Sequence, residues 1–335
     1  MPLSSRILGL SVVKNEQDII EPFVRHNLRA LDYLIVLDNG SVDGTKRILG
    51  KLGEEFPNLL VLNDDAFGHR QAERLQRLLR VGQSTYEPEY VFFLDADEFV
   101  STTDSHEIER ALCKIPRGGV GLVPWRTFVL TPETLQQAGI DPPKSITWRR
   151  TQETPMFHKV VLHLDGERYD DLVIEHGSHN VSRSSGRTMP VVHCDELKLL
   201  HYPVRSREQL IGNVVVGWIA NVERDSSVRS SNLHWHKRIM FDRIVAGESF
   251  DDTFLCECSM LYAQDRNAVD WHSDVIEEDA KIAYVRRYST GVPAGALQLI
   301  AASWEQSVQS AIRVALAEPQ ATPARLRAFS TAAGD

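Results

Sequence analysis

The first hundred residues switch between two hydrophobic periods. Ile7–Val13 (ILGLSVV) is a short, β-branched apolar run of the kind that a strand buried on both faces requires. Over residues 18–31, Ile20, Phe23, Val24, Leu28 and Leu31 recur at helical spacing. Residues 33–37 (YLIVL) read as a second strand ending at Asp38. The turn Asn39-Gly40-Ser41-Val42-Asp43-Gly44 then leads into a helix over 45–52, with Ser41 or Asp43 placed to cap it. A third strand over 59–62, a helix over 69–83 with Leu75, Leu78 and Leu79, and a fourth strand over 90–94 complete the series. Strands alternating with helices across short connections predict an α/β fold, a mostly parallel sheet flanked by helices.

Beyond residue 115 the pattern loosens. Strands are expected at 120–125, 159–164 and 197–202, separated by Pro- and Gly-punctuated loops over 131–144 and 182–189. Amphipathic helical patterns follow at 209–222, 235–247 and 296–317. The expected organisation is a catalytic domain over 1–205, a mainly helical region over 206–317, and a frayed tail over 318–335.

Composition narrows the function classes. The 335 residues are 42% hydrophobic and 25% charged, an ordinary globular balance with room for one large α/β domain or two smaller ones. Lys and Arg number 37 against 46 Asp and Glu, a net charge of −9, which argues against a nucleic-acid footprint. Four cysteines are too few for a disulfide framework and suit a reducing compartment; Cys256 and Cys258 could form half a metal site, with no second pair to answer them. No run of about 18 apolar residues occurs, and the start lacks the basic region and cleavage site of a signal peptide. The expected setting is cytoplasmic, with no transmembrane segment.

The chemistry gathers at the carboxyl ends of the predicted strands, where α/β sheets bind ligands. Lys14-Asn15-Glu16 follows the first strand, Asp38 ends the second, and Asp95-Ala96-Asp97-Glu98 ends the fourth. Two carboxylates two residues apart at a strand end suit Mg²⁺ or Mn²⁺, which in turn neutralises phosphate oxygens; capping of the following helix is the bland alternative. Asp38 can accept from a ring N–H or a ribose hydroxyl, whereas Asp43 and Gly44 suit a plain turn and cap. Asn15 and Glu16 either contact a nucleoside or cap the first helix. His201, at the end of LKLLHY, and His179 are candidates for a third metal ligand or a donor to a leaving phosphate. His163 and His193 read as structural. Trp125, Trp148 and Tyr169 could stack on a sugar ring or fill a core.

In order and spacing these segments resemble the family 2-type nucleotide-sugar glycosyltransferases: Lys14-Asn15-Glu16, Asp38-Asn39-Gly40-Ser41-Val42-Asp43-Gly44-Thr45, Phe93-Leu94-Asp95-Ala96-Asp97-Glu98-Phe99, then Gly177-Ser178-His179 and His201-Tyr202-Pro203-Val204-Arg205-Ser206. The resemblance spans about residues 5–206. It implies a GT-A fold, Rossmann-like, that binds a nucleoside diphosphate sugar with a divalent metal, Mn²⁺ or Mg²⁺, and passes the sugar to a glycan or lipid-linked acceptor. By position, Val13, Asn15 and Glu16 would line the nucleoside pocket and Asp38 would hold the base. Asp95 would face ribose or metal, Asp97 and His201 would approach metal or diphosphate, and His179 matches a "G-x-H" residue. Many members carry a Glu-Asp pair whose Asp deprotonates the acceptor. No such pair stands between 120 and 205, where Asp171, Glu175 and Asp195-Glu196 are the candidates and Glu175 is the chosen base.

Three rivals remain. A haloacid-dehalogenase-type phosphatase wants Thr or Val where Phe99 stands, and a nucleotidyltransferase wants a Gly-rich phosphate loop where Lys14-Asn15-Glu16 stands. A non-catalytic sugar-nucleotide binder would keep the aspartates and lack the base. A homo-oligomer is compatible with the helical region.

Overall fold

The computed structural model describes residues 6–65, 70–135, 141–166, 169–224, 235–247, 251–265 and 269–317. The N-terminal half alternates as expected: β1 (Ile7–Val13), α1 (Ile20–Asn27), β2 (Tyr33–Asp38), α2 (Thr45–Glu55), β3 (Leu59–Asn63), α3 (Gln71–Tyr86) and β4 (Tyr90–Phe93). After it come β5 (Glu98–Val100), α4 (Ser105–Leu112), β6 (Val120–Val129), the short turns α5 (Pro132–Leu135) and α6 (Pro142–Ser145), β7 (Trp148–Arg150) and β8 (His158–His163). The small strands β9 (Leu172–Ile174), β10 (Val181–Arg183), β11 (Val191–His193) and β12 (Leu199–His201) precede α7 (Arg207–Arg224), α8 (Trp235–Val245) and α9 (Asp252–Leu261). Strand β13 (Val275–Glu277) and helix α10 (Ala296–Ala317) close the described chain.

The main sheet runs β13-β7-β6-β8-β4-β1-β2-β3. Pairing is parallel from β3 through β2 and β1 to β4, then antiparallel at β4–β8, β8–β6, β6–β7 and β7–β13. The mostly parallel expectation therefore holds on the β3-to-β4 side. The reversal has a consequence for the site: β8 begins where β4 ends, so its first residues lie beside Asp95.

Period-2 alternation sends successive strand residues to two cores. Leu34, Val36 and Phe92 pack with Phe23 and Val24 of α1 and with Ile48, Leu49 and Leu52 of α2. Leu8, Leu10, Ile35, Leu37 and Phe93 face Leu75, Leu78 and Leu79 of α3. Helix α3 lies so close to β1 that a Cβ on Gly82 would stand 2.3 Å from Leu8 Cδ2.

Helices α7, α8 and α9 contribute Val214, Met240, Phe254 and Leu255 to the first of these cores, α9 adds Met260 to a small third core with Val129 and Val275, and β13 extends the sheet. Cys256 and Cys258 are buried in α9 within the first core as free thiols. Among the described residues no group of three acid, histidine or cysteine side chains is arranged around a common point as a preformed metal cage. No described helix is long and apolar enough to cross a membrane. The tail over 318–335 lies outside the described residues, as do His69 and the side chain of Trp235.

Candidate active site

A cavity of about 490 Å³ opens at the carboxyl ends of β1 and β4. Its lining includes Val13, Asn15, Glu16, Asp95, Asp97, His179 and His201, which chain order separates by up to 188 residues (201 less 13).

Five acids crowd this end of the sheet, and two cations divide them. Arg205 donates to Asp18 at 2.6 Å through Nε and to Glu16 at 2.6 Å through a terminal nitrogen. Lys159, 1% exposed, stands 2.5 Å from Asp95 Oδ2 and 3.4 Å from Glu98 Oε1. Asp97 has no close cation: Arg205 is 3.7 Å away and His201 Nε2 is 3.9 Å away. Burial pushes the Glu16 and Glu98 carboxyls up to about 8, against the pull of Arg205 and Lys159 respectively. Burial also raises Asp97 to about 6, with Arg205 opposing. Burial pushes Asp95 up as well, but Lys159, His179 and the Gln71 hydrogen bond together pull it below its ordinary value. Of the three carboxylates among the described lining residues, Asp97 has the most distant cation.

The histidines are neutral. Burial drives His201 well below its ordinary range, and its ring stacks on Trp125 at 4.0 Å with Nδ1 buried and unpartnered. His179 is pushed down to about 4 by burial; its Nδ1 bonds the His158 carbonyl oxygen at 2.8 Å, which leaves Nε2 as the ring's acceptor.

At the nucleoside end, side chains expected to meet a ligand are partly spent on the turn. Asn15, at φ 59°, takes a backbone bond from Val42 on Oδ1, and its own N–H donates to Ser41 Oγ. The Glu16 N–H donates to Thr45 Oγ1, and its carboxylate pairs with Arg205. Asp43 accepts from Thr45 N and Gln17 N and so braces the turn, while Gly44 is the N-cap of α2 with no side-chain cap. Asp38 is fully buried and off the cavity lining. One of its oxygens accepts from Ser41 N at 3.2 Å; the other, like Oδ1 of Asn39 beside it, has no partner.

Residues 11–164 match glycosyl transferase family 2. This stretch is a family 2 glycosyl transferase domain. No curated protein sequence matches the chain. Among solved structures, the Pyrobaculum calidifontis mannosyltransferase PcManGT, in complex with GDP-Man and Mn²⁺, is 14% identical, with 98% of this chain and 80% of that one covered and a TM-score of 0.38. S. aureus TarS 1-349 is 13% identical over 64% of this chain and 65% of its own, at a TM-score of 0.36. GalNAc-T7 with UDP, GalNAc and Mn²⁺ is 10% identical over 60% and 44%, at 0.36. The chain thus spans just under two thirds of the TarS chain and less than half of the GalNAc-T7 chain.

Glu175, the base expected from the sequence, stands away from the cavity. It is exposed, accepts from Asn180 Nδ2 at 3.0 Å, and is not among the residues that line the cavity. Of the three aromatics proposed for stacking, Trp125 alone reaches the cavity. Tyr169 is buried beneath Arg183, and Trp148 packs against the small core of Val129, Met260 and Val275. His163 bonds the Ile115 carbonyl oxygen and His193 packs edge-on to His158, both structural as read.

Sequence reasoning missed Lys159, Asp18 and Tyr262. Lys159 opens an apolar run and has no local signal; its partner lies 64 residues away across β4 and β8. Arg205 stood in a recognised segment, and its bond to Glu16 and Asp18 is what that segment supplies.

Proposed function

We propose that this glycosyltransferase moves a sugar from a nucleoside diphosphate sugar to an acceptor hydroxyl with the help of a divalent metal, Mn²⁺ or Mg²⁺. The observation that carries the reading is geometric: Asp97 stands on the wall of the cavity of about 490 Å³ with its nearest described cation 3.7 Å away and His201 Nε2 at 3.9 Å. The donors present fit a hard cation: the Asp97 carboxylate and the neutral His201 ring would hold it, and diphosphate oxygens would fill its remaining positions. When bound, such an ion offsets the charge that grows on the departing diphosphate.

The chain's own residues do the rest. The unpartnered Oδ1 of Asn39, which lines the cavity with Asp38 buried behind it, suits the N–H edge of a nucleobase. Trp125, Phe157 and Tyr262 form an apolar wall against which the sugar ring can lie and water is kept out. His179 Nε2 takes the proton of the acceptor hydroxyl as its oxygen bonds to the anomeric carbon and the bond to the diphosphate breaks. Its Nδ1–H stays on the His158 carbonyl, and Asp95 lies close enough to stabilise the imidazolium that forms.

A second reading, a sugar-nucleotide binder without turnover, is favoured by one observation: among the described lining residues the carboxylates are Glu16, Asp95 and Asp97, with none on the acceptor side. A thermal-shift panel of nucleoside diphosphates and nucleotide sugars, with and without Mn²⁺, tests the donor site. A Mn²⁺-dependent rise in Tm with one base supports it, since a ligand for the native state raises stability by mass action. No shift with any of them removes both readings.

A further inference from the structure

Lys159 has no task in the steps above, yet it is the most deeply buried lysine contact of the site. It stands second in β8, and antiparallel pairing with β4 brings it beside Asp95. Its ammonium takes Asp95 Oδ2 at 2.5 Å, while Gln71 of α3 donates to Asp95 Oδ1 at 2.8 Å. Both oxygens of Asp95 are thus engaged from two other elements. Glu98, the second partner of Lys159, is itself fixed by Trp125 Nε1 at 2.7 Å and by the Asp95 N–H at 2.9 Å. Among the described residues, the nearest cation to the Asp97 carboxylate is Arg205, at 3.7 Å.

We infer that Lys159 is a positioning residue that ties Asp95 away from the cation, so that the metal is held by Asp97 rather than shared between Asp95 and Asp97. The inference rests on the metal-dependent reading proposed above. The ammonium takes up one lone pair of the oxygen it bonds and neutralises part of the carboxylate's charge, and its own charge repels a divalent ion placed next to it. What remains for the ion is one carboxylate and one neutral imidazole, too few donors for tight binding of a hard cation. The diphosphate must then complete the coordination, so metal binding follows the nucleotide. Lys159 makes the site refuse free metal and accept it with donor.

The test is Mn²⁺ binding read by electron paramagnetic resonance, with Mn²⁺ alone and with UDP or GDP, without any turnover. The wild-type protein is expected to bind free Mn²⁺ weakly and at least about tenfold more tightly with the matching nucleotide. Lys159→Met frees Asp95 and should bind Mn²⁺ without nucleotide about tenfold more tightly than wild type, whereas Lys159→Arg should keep the wild-type behaviour. Asp95→Asn should retain nucleotide-dependent Mn²⁺ binding and Asp97→Asn should lose it. If Lys159→Met fails to fold because Glu98 is left without its cation, the double variant Lys159→Met/Glu98→Gln replaces it. Free-Mn²⁺ affinity no higher than wild type in the Lys159 variant that folds, or equal loss in Asp95→Asn and Asp97→Asn, overturns the inference alone. Wild-type protein that binds no Mn²⁺ with either nucleotide overturns the metal reading and this inference together.

Discussion

Arg205 holds two buried acids at once, and its geometry cannot be matched by a shorter list of donors. Its fork reaches Glu16 and Asp18 at 2.6 Å while its NH1 group bonds the Tyr202 carbonyl oxygen at 3.1 Å. Lysine carries the charge as a point and cannot span those partners. Arg205→Lys should therefore cost about 1.5–3 kcal/mol, the range for losing a hydrogen bond to a charged group, measured by urea unfolding. A loss below about 1 kcal/mol would mean that water already serves these carboxylates. At this scale the sequence was informative about acids and silent about their counter-charges. Asp38, Asp95 and Asp97 stand at strand ends, a position visible in the hydrophobic pattern. Lys159 reaches Asp95 through the pairing of β8 with β4, which no local pattern encodes, and Glu175 stands in a stretch off the cavity lining.

Helix α1 shows how one element fastens the C-terminal region to the domain. Glu21, fully buried, accepts from the backbone N–H groups of Arg287, Tyr288 and Ser289 and from Arg25 Nε. Glu21→Ala strips three amides of their acceptor and leaves Arg25 without one of its partners. The expected cost is about 3–5 kcal/mol, and hydrogen exchange should speed up at 287–289 while the β1 amides stay protected; unchanged exchange there would contradict the assignment. The elements themselves were legible where period decides them. Strand β1 matches its expected bounds, and β2, β3, β4 and α2 differ by a few residues at most. Strands β5, β7, β9, β10, β11 and β13 were not, because three-residue strands hold less than two full alternations and take their identity from the neighbour they pair with.

Acid stability belongs to the whole molecule, since it sums over every paired carboxylate. Glu55 contributes a defined part: its hydrogen bonds with Arg25, at 2.7 Å on each oxygen, lower it from 4.5 to about 2. A folded value below the unfolded one means that this stabilisation is present above pH 4.5 and is lost as pH falls toward about 2. Glu55→Gln should accordingly flatten the stability profile across that window and leave its slope near neutrality unchanged, as read by Tm against pH. An unaltered acid limb would remove the pair from the account.

The central claim is that the cavity holds a sugar donor through Asp97 and a divalent ion. Its most direct measurement is release of nucleoside diphosphate from a panel of nucleotide sugars, with Mn²⁺ and with EDTA, for the wild-type protein and for Asp97→Asn. One donor should be consumed with Mn²⁺, with the rate falling at least about a hundredfold in EDTA or in Asp97→Asn while the variant's Tm stays within a few degrees of wild type. Equal turnover with Mn²⁺ and with EDTA, or an Asp97→Asn enzyme as active as the wild type, would contradict it.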